Sequence, residues 1–345
     1  MTVANSDRVW LPRARKAAMG VIFAFLLASC SSGDPEGEQG AQTSSSEPSA
    51  SAASSSSAPK AEAETVVQRD EPLYKRVNYP VKGEGDPSQN WGDLYLPAGD
   101  HKAKSVPLVV LVHGGAWQSS IGAKDFEAYA ESLVDRGMAV YNIEYRRVGS
   151  GGGWPTTFTD VASAMDFIPE LSKQHPEFTT DDELVVGHSA GAQLAMWAGT
   201  RDSKEEHELG AHPKFVPTRV VSLAGPLDMK YAADHGDVNI TNALGGTPEQ
   251  LAQRYSEVDP IQNIDTSLPV VAVHGTADEV VSPENSRRYI DAVKKAGGRG
   301  SLHLTDGDTH GSLIEPDSAH FQHILNIIDE TADADVGDVG ETQNT

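Results

Sequence analysis

The segment Gly187-His188-Ser189-Ala190-Gly191 follows directly on Leu184-Val185-Val186 and leads into a stretch rich in Ala, Leu, Met and Trp at 190–200. A strand that turns into a helix at a single residue forces that residue, here Ser189, into a sparsely populated backbone conformation, so its surroundings must be small. Gly187 and Gly191 meet that need. The first amides of the following helix have no intrahelical partner, which leaves the Ala190 N–H to face an anion.

Between residues 71 and 331, apolar runs of strand length alternate with helical stretches. That alternation predicts an α/β domain, a mostly parallel eight-stranded sheet with helices on both faces. The expected strands are 74–79, 92–96, 108–112, 139–144, 184–186, 219–223, 270–273 and 301–304; the expected helices are 123–136, 156–175, 190–200, 283–296 and 316–331. The stretch 228–264 is too long for a simple loop and is expected to form a small cap containing a short helix at 249–255. Chemistry in such sheets collects just past the carboxyl ends of the strands.

Three strand ends carry reactive groups. The run 108–112 ends in His113-Gly114-Gly115-Ala116-Trp117, a turn whose Gly115 and Ala116 amides can join that of Ala190 in holding an oxyanion. The run 269–273 ends in His274-Gly275-Thr276-Ala277-Asp278, which places a carboxylate on a strand-end loop; Glu279 is longer and is expected to point elsewhere. The run 301–304 leads to His310-Gly311. The chain order Ser189, Asp278, His310 is the order that an elbow nucleophile, its acid and its base require. His303 falls inside a strand, His320 and His323 fall on the last helix, and His113, His188 and His274 flank the motifs as pocket or hydrogen-bonding residues rather than bases. Trp117 and Trp154 are candidates for a pocket wall or for packing. Tyr145, Arg146 and Arg147 follow a strand and could take an anion, with ion pairing the plainer reading.

From about residue 73 to 328 the chain resembles the α/β-hydrolase superfamily, in its esterase/lipase, kynurenine-formamidase-like and BD-FAE-like branch. The matching motifs are the turn 113–117, the elbow 187–191, the acid loop 274–278 and His310-Gly311. Ala116 stands where many hormone-sensitive-lipase-like esterases carry a third glycine, a departure from that subgroup. The resemblance implies a serine hydrolase acting on small or medium acyl esters, with amidase or peptidase activity as the neighbouring alternative. A binding lipoprotein without turnover is a reading from another class. No cofactor cradle and no metal-ligand spacing stand out.

The beginning of the chain is of a different kind. Arg8, Arg13, Arg15 and Lys16 precede an apolar stretch of about a dozen residues, too short to span a bilayer, which ends at Leu27-Ala28-Ser29-Cys30. This resembles a bacterial lipoprotein signal over residues 1–29 with lipidation at Cys30, the only cysteine. Two or three acyl chains, at ~0.8 kcal/mol per buried CH₂, would anchor the protein durably on the outer face of the cell membrane. Residues 30–70, dominated by Ser, Ala, Glu, Gly and Pro, are expected to be a disordered tether and 332–345 a frayed acidic tail. A net charge of -23 argues against nucleic acid as a partner.

Overall fold

The computed structural model describes residues 66–118, 121–181 and 183–340. The expected signal segment, Cys30 and nearly all of the expected tether lie outside the described residues, as do the last five residues. Among the described residues no helix is long and apolar enough to cross a membrane.

An eight-stranded sheet is built from β2 (Leu73–Asn78), β3 (Trp91–Leu96), β5 (Leu108–Val112), β6 (Ala139–Ile143), β7 (Leu184–His188), β8 (Arg219–Leu223), β9 (Val270–Gly275) and β10 (Gly300–Thr305). In space the order is β2-β3-β6-β5-β7-β8-β9-β10. Strand β3 runs antiparallel to both its neighbours, and every other pairing is parallel. Strands β5 to β9 are buried throughout, which is why their sequences read as unbroken apolar runs rather than alternating ones.

Alternation still decides which layer each side chain enters. Val110, Val112, Val185, Val220 and Ala272 join one core with α2 (Thr156–Asp166), α4 (Ala190–Gly199) and α8 (Glu284–Lys295). Val109, Leu111, Val186, Val221 and Val273 join another with α1 (Glu127–Val134) and α9 (Phe321–Asp333). Each fully buried aliphatic side chain contributes about 1.5–3 kcal/mol, so the two layers fix the register of the sheet. The result is an α/β-hydrolase fold with helices on both faces.

The eight expected strands match to within one or two residues. The single helix expected over 156–175 is interrupted at Phe167, after which α3 (Ile168–Gln174) begins with Pro169 in its first turn, where the missing N–H costs nothing. The stretch 228–264 forms α5 (Met229–Asp234), α6 (Val238–Leu244) and α7 (Ala252–Val258). Its ends are held by carboxylates: Asp228 accepts from the Tyr231 N–H, Asp237 from that of Asn239, and Asp259 from those of Met229 and Lys230.

Two boundaries differ from expectation. Strand β1 (Val66–Arg69) pairs with β4 (Gly99–Lys102), so order begins inside the segment expected to be tether. Both strands are short and largely polar, too weak a pattern to read. At the other end α9 runs to Asp333, Arg219 donates to the Ala334 carbonyl, Arg299 donates to that of Gly337, and Val339 is buried. The described part of the expected tail is therefore fastened to the body by contacts with distant residues.

Candidate active site

Ser189 occupies the single residue between β7 and α4, with φ 56° and ψ −124°. A non-glycine residue held there stores about 1–3 kcal/mol of backbone strain, which the surrounding contacts must overcome. They are close. The Ser189 N–H donates to the Leu223 carbonyl at 2.8 Å. A Cβ on Gly191 would fall 2.1 Å from the Val112 carbonyl oxygen, and one on Gly187 would fall 2.2 Å from that of Gly191. Both glycines of the motif are thus required by backbone crossing backbone.

The three residues expected to converge do so. The Ser189 hydroxyl donates to His310 Nε2 at 2.8 Å, and His310 Nδ1–H donates to Asp278 Oδ2 at 2.7 Å. The other carboxylate oxygen, Oδ1, accepts the backbone N–H groups of Val280 and Val281 at 2.8 and 2.9 Å. Asp278 is buried while Glu279 is exposed. Burial opposes the carboxylate's charge, yet the hydrogen bonds from His274 and His310 outweigh it and hold Asp278 well below the usual aspartate range. An ionised Asp278 fixes the tautomer of His310 with the proton on Nδ1 and the lone pair on Nε2, facing the serine.

Histidines that the motifs only flanked prove to brace this relay. His188 Nε2–H donates to the backbone carbonyl of His310 at 2.9 Å, with the two rings 4.8 Å apart. Burial, and then the neighbouring His310, push His188 down to about 3, so it stays a neutral donor. The His310 loop is also tied by Asp308, whose Oδ1 accepts from the Ser312 hydroxyl at 2.9 Å. Gly275 lets the acid and base loops meet: a Cβ there would lie 2.3 Å from the Asp308 carbonyl oxygen.

The turn after β5 lies against Ser189, since a Cβ on Gly114 would come within 3.0 Å of the Ser189 Cβ. Gly115, Ala116 and Trp117 all have positive φ, at 105°, 53° and 56°. Three successive residues of this kind curl the chain into a tight turn. Glu144, just past β6, holds the turn. Its Oε1 accepts from His113 Nε2 at 2.9 Å, and its Oε2 accepts the Ala123 N–H at 3.1 Å. Tyr145 stacks on the His113 ring at 4.3 Å and donates to the His113 carbonyl. Neither of these contacts was legible in the sequence, because Glu144 and Tyr145 lie 31 and 32 residues from their partners.

Other candidates resolve into packing or ion pairs. Trp117 is buried in the core. Arg146 forms a two-pronged pair with the buried Asp160, and Arg147 bonds the Ile121 carbonyl beside Glu144. Trp154 packs edge-on against Phe158 and lines an open cavity of about 400 Å³ with the start of α7. Among the described residues no group of three or more His, Cys, Asp or Glu is placed to hold a metal ion.

The chain is similar to several known proteins. The chain is 28% identical over 267 residues to isoprenylcysteine α-carbonyl methylesterase of Arabidopsis thaliana, covering 71% of this chain but only 60% of that protein. It is 25% identical to kynurenine formamidase of Drosophila melanogaster over 61% of this chain and 67% of that one. Among solved structures, esterase B of Lactobacillus rhamnosis superposes with a TM-score of 0.63 at 19% identity, over 77% of this chain and 88% of that chain. The BD-FAE family model matches residues 93–292, a span from the middle of β3 almost to the end of α8 that contains both Ser189 and Asp278. More than half of the chain falls within that match, and the protein belongs to the BD-FAE family.

Proposed function

We propose that this chain is a serine hydrolase that cleaves carboxylic esters of small or medium acyl groups through an acyl-enzyme. The observation that carries the reading is the continuous relay from Ser189 Oγ through His310 to Asp278, at 2.8 and 2.7 Å, on a strained elbow. His310 Nε2 takes the hydroxyl proton as Ser189 Oγ bonds to the substrate carbonyl carbon. The amides of Gly115, Ala116 and Ala190 hold the oxyanion, each donor being worth about 2.7–4 kcal/mol in the transition state. His310 then gives its proton to the departing alcohol. Water, deprotonated by the same imidazole, releases the acid and restores Ser189.

The methylesterase relative supports ester over amide cleavage, and the formamidase relative makes a formyl amide the second substrate to test. Export and anchoring through a lipid on Cys30 are part of the same proposal, supported by the basic and apolar pattern of the first thirty residues. The test is labelling of the folded protein with a fluorophosphonate, beside hydrolysis of short-chain aryl esters and a formyl amide. Stoichiometric modification of Ser189 and ester turnover that vanishes in Ser189→Ala are expected. A wild-type protein that neither labels nor turns over would leave a binding role in its place.

A further inference from the structure

The triad carboxylate has a second imidazole on it. His274, the penultimate residue of β9, is fully buried, and its Nε2 lies 3.3 Å from Asp278 Oδ2, the same oxygen that accepts from His310. Its Nε2 is also 2.9 Å from the Val281 carbonyl oxygen, and its Nδ1 is 2.7 Å from Ser286 Oγ on α8. A carbonyl oxygen can only accept, so Nε2 carries a proton. In the neutral ring Nδ1 is then the acceptor, and the Ser286 hydroxyl donates to it. The Nε2–H is therefore directed at the Val281 carbonyl, and the Asp278 carboxylate lies 3.3 Å from the same nitrogen.

We infer that His274 is a positioning residue for the reaction proposed above: its Nε2–H, held in that tautomer by Ser286, orients Asp278 and shares the oxygen that binds His310. The charged and titratable groups that face this centre are His310 from the loop after β10, His188 from β7 and His274 itself. The remaining Asp278 contacts are the Val280 and Val281 amides. Removing the positive end of that N–H dipole from beside Oδ2 leaves the oxygen more basic. It then grips the His310 imidazolium harder, and a higher pH is needed to free the neutral base. A side chain that only filled space would change stability and leave this pH dependence where it was.

The inference rests on the serine-hydrolase reading, and the experiment separates the two. The rate constant for phosphonylation of Ser189 by a fluorophosphonate is measured across about pH 5 to 9 in the full chain, in His274→Phe, His274→Gln and Ser286→Ala. His274→Phe is expected to lower the plateau rate about tenfold and move the acidic limb about half a unit to higher pH. His274→Gln, which keeps an N–H donor, is expected to recover most of both. Ser286→Ala is expected to lose about threefold with a smaller movement in the same direction. A folded His274→Phe protein with the wild-type plateau and limb overturns the inference. Should that variant not fold, a Ser286→Ala profile identical to wild type overturns it instead. A wild-type chain that does not label sinks the hydrolase reading and this assignment with it.

Discussion

Gly191 sits against His113 so tightly that a Cβ on the glycine would come within 2.3 Å of the His113 carbonyl oxygen. The helix that begins after Ser189 is thereby pressed onto the turn that carries Gly115 and Ala116. Neither wall can move, since both are backbone. Gly191→Ala is expected to cost about 3 kcal/mol or more in stability, beyond the usual overpacking penalty, as read by denaturant unfolding. An alanine variant as stable as wild type would mean that the two segments are not in contact.

Asp278→Asn preserves size but removes the charge that selects the His310 tautomer. A carboxamide that turns its N–H toward Nδ1 leaves the proton on Nε2, facing away from its acceptor role. The expected result is a fall in kcat of about 10⁴-fold with KM little changed. Steady-state kinetics on a short-chain aryl ester decides it.

Acid should act twice. The base must be neutral, so activity is expected to be lost at acid pH. The Asp278 carboxyl is depressed in the folded state, so its stabilising contribution is present above the ordinary aspartate range and is lost only as pH falls below it. Inactivation near pH 5 is therefore expected to be reversible, with an unchanged circular-dichroism spectrum. Loss of fold at that pH would contradict the assignment.

Glu183, at the opposite end of β7 from the nucleophile, titrates in the other direction. Burial pushes its carboxyl up to about 7 from an ordinary 4.5. The folded state then holds a proton that the unfolded state releases, so stability is expected to fall as pH rises between those values. Glu183→Gln removes the titration and is expected to be more stable than wild type at pH 8, by on the order of 2 to 3 kcal/mol, and similar at low pH. Melting temperatures at the two pH values test it.

Glu144 ties His113, the Tyr145 amide and the Ala123 amide together beneath the turn after β5. Glu144→Ala frees all three. Activity is expected to fall about tenfold to a hundredfold, chiefly in kcat, because misplaced oxyanion donors weaken the transition state more than the ground state.

The parts of the molecule that read clearly from sequence are those in which one local signal suffices. Runs such as Leu108–Val112 are continuous because both faces are covered, and the residues after them fall at the rim where Ser189, Asp278 and His310 meet. The parts that did not read are relations between distant segments. His274 looked like a flanking residue because Ser286 on α8 and the loop back to Val281 only become its partners once the chain has folded. Glu144 looked like the end of a strand for the same reason. Strands β1 and β4 are four residues each, with no apolar alternation to mark them. The break at Phe167 was written in Pro169, whose acceptable place in a first turn makes it a start as readily as a stop.

His310 follows Ser189 by 121 residues and reaches it only from the end of the sheet's outermost parallel strand. A growing polypeptide thus carries Ser189 through a further 121 residues of synthesis before His310 is made. On the function proposed above, reactivity waits for β10, whose following loop carries His310 and packs on Gly275. Half-made copies should be chemically silent, so that competence to react certifies completion of the sheet.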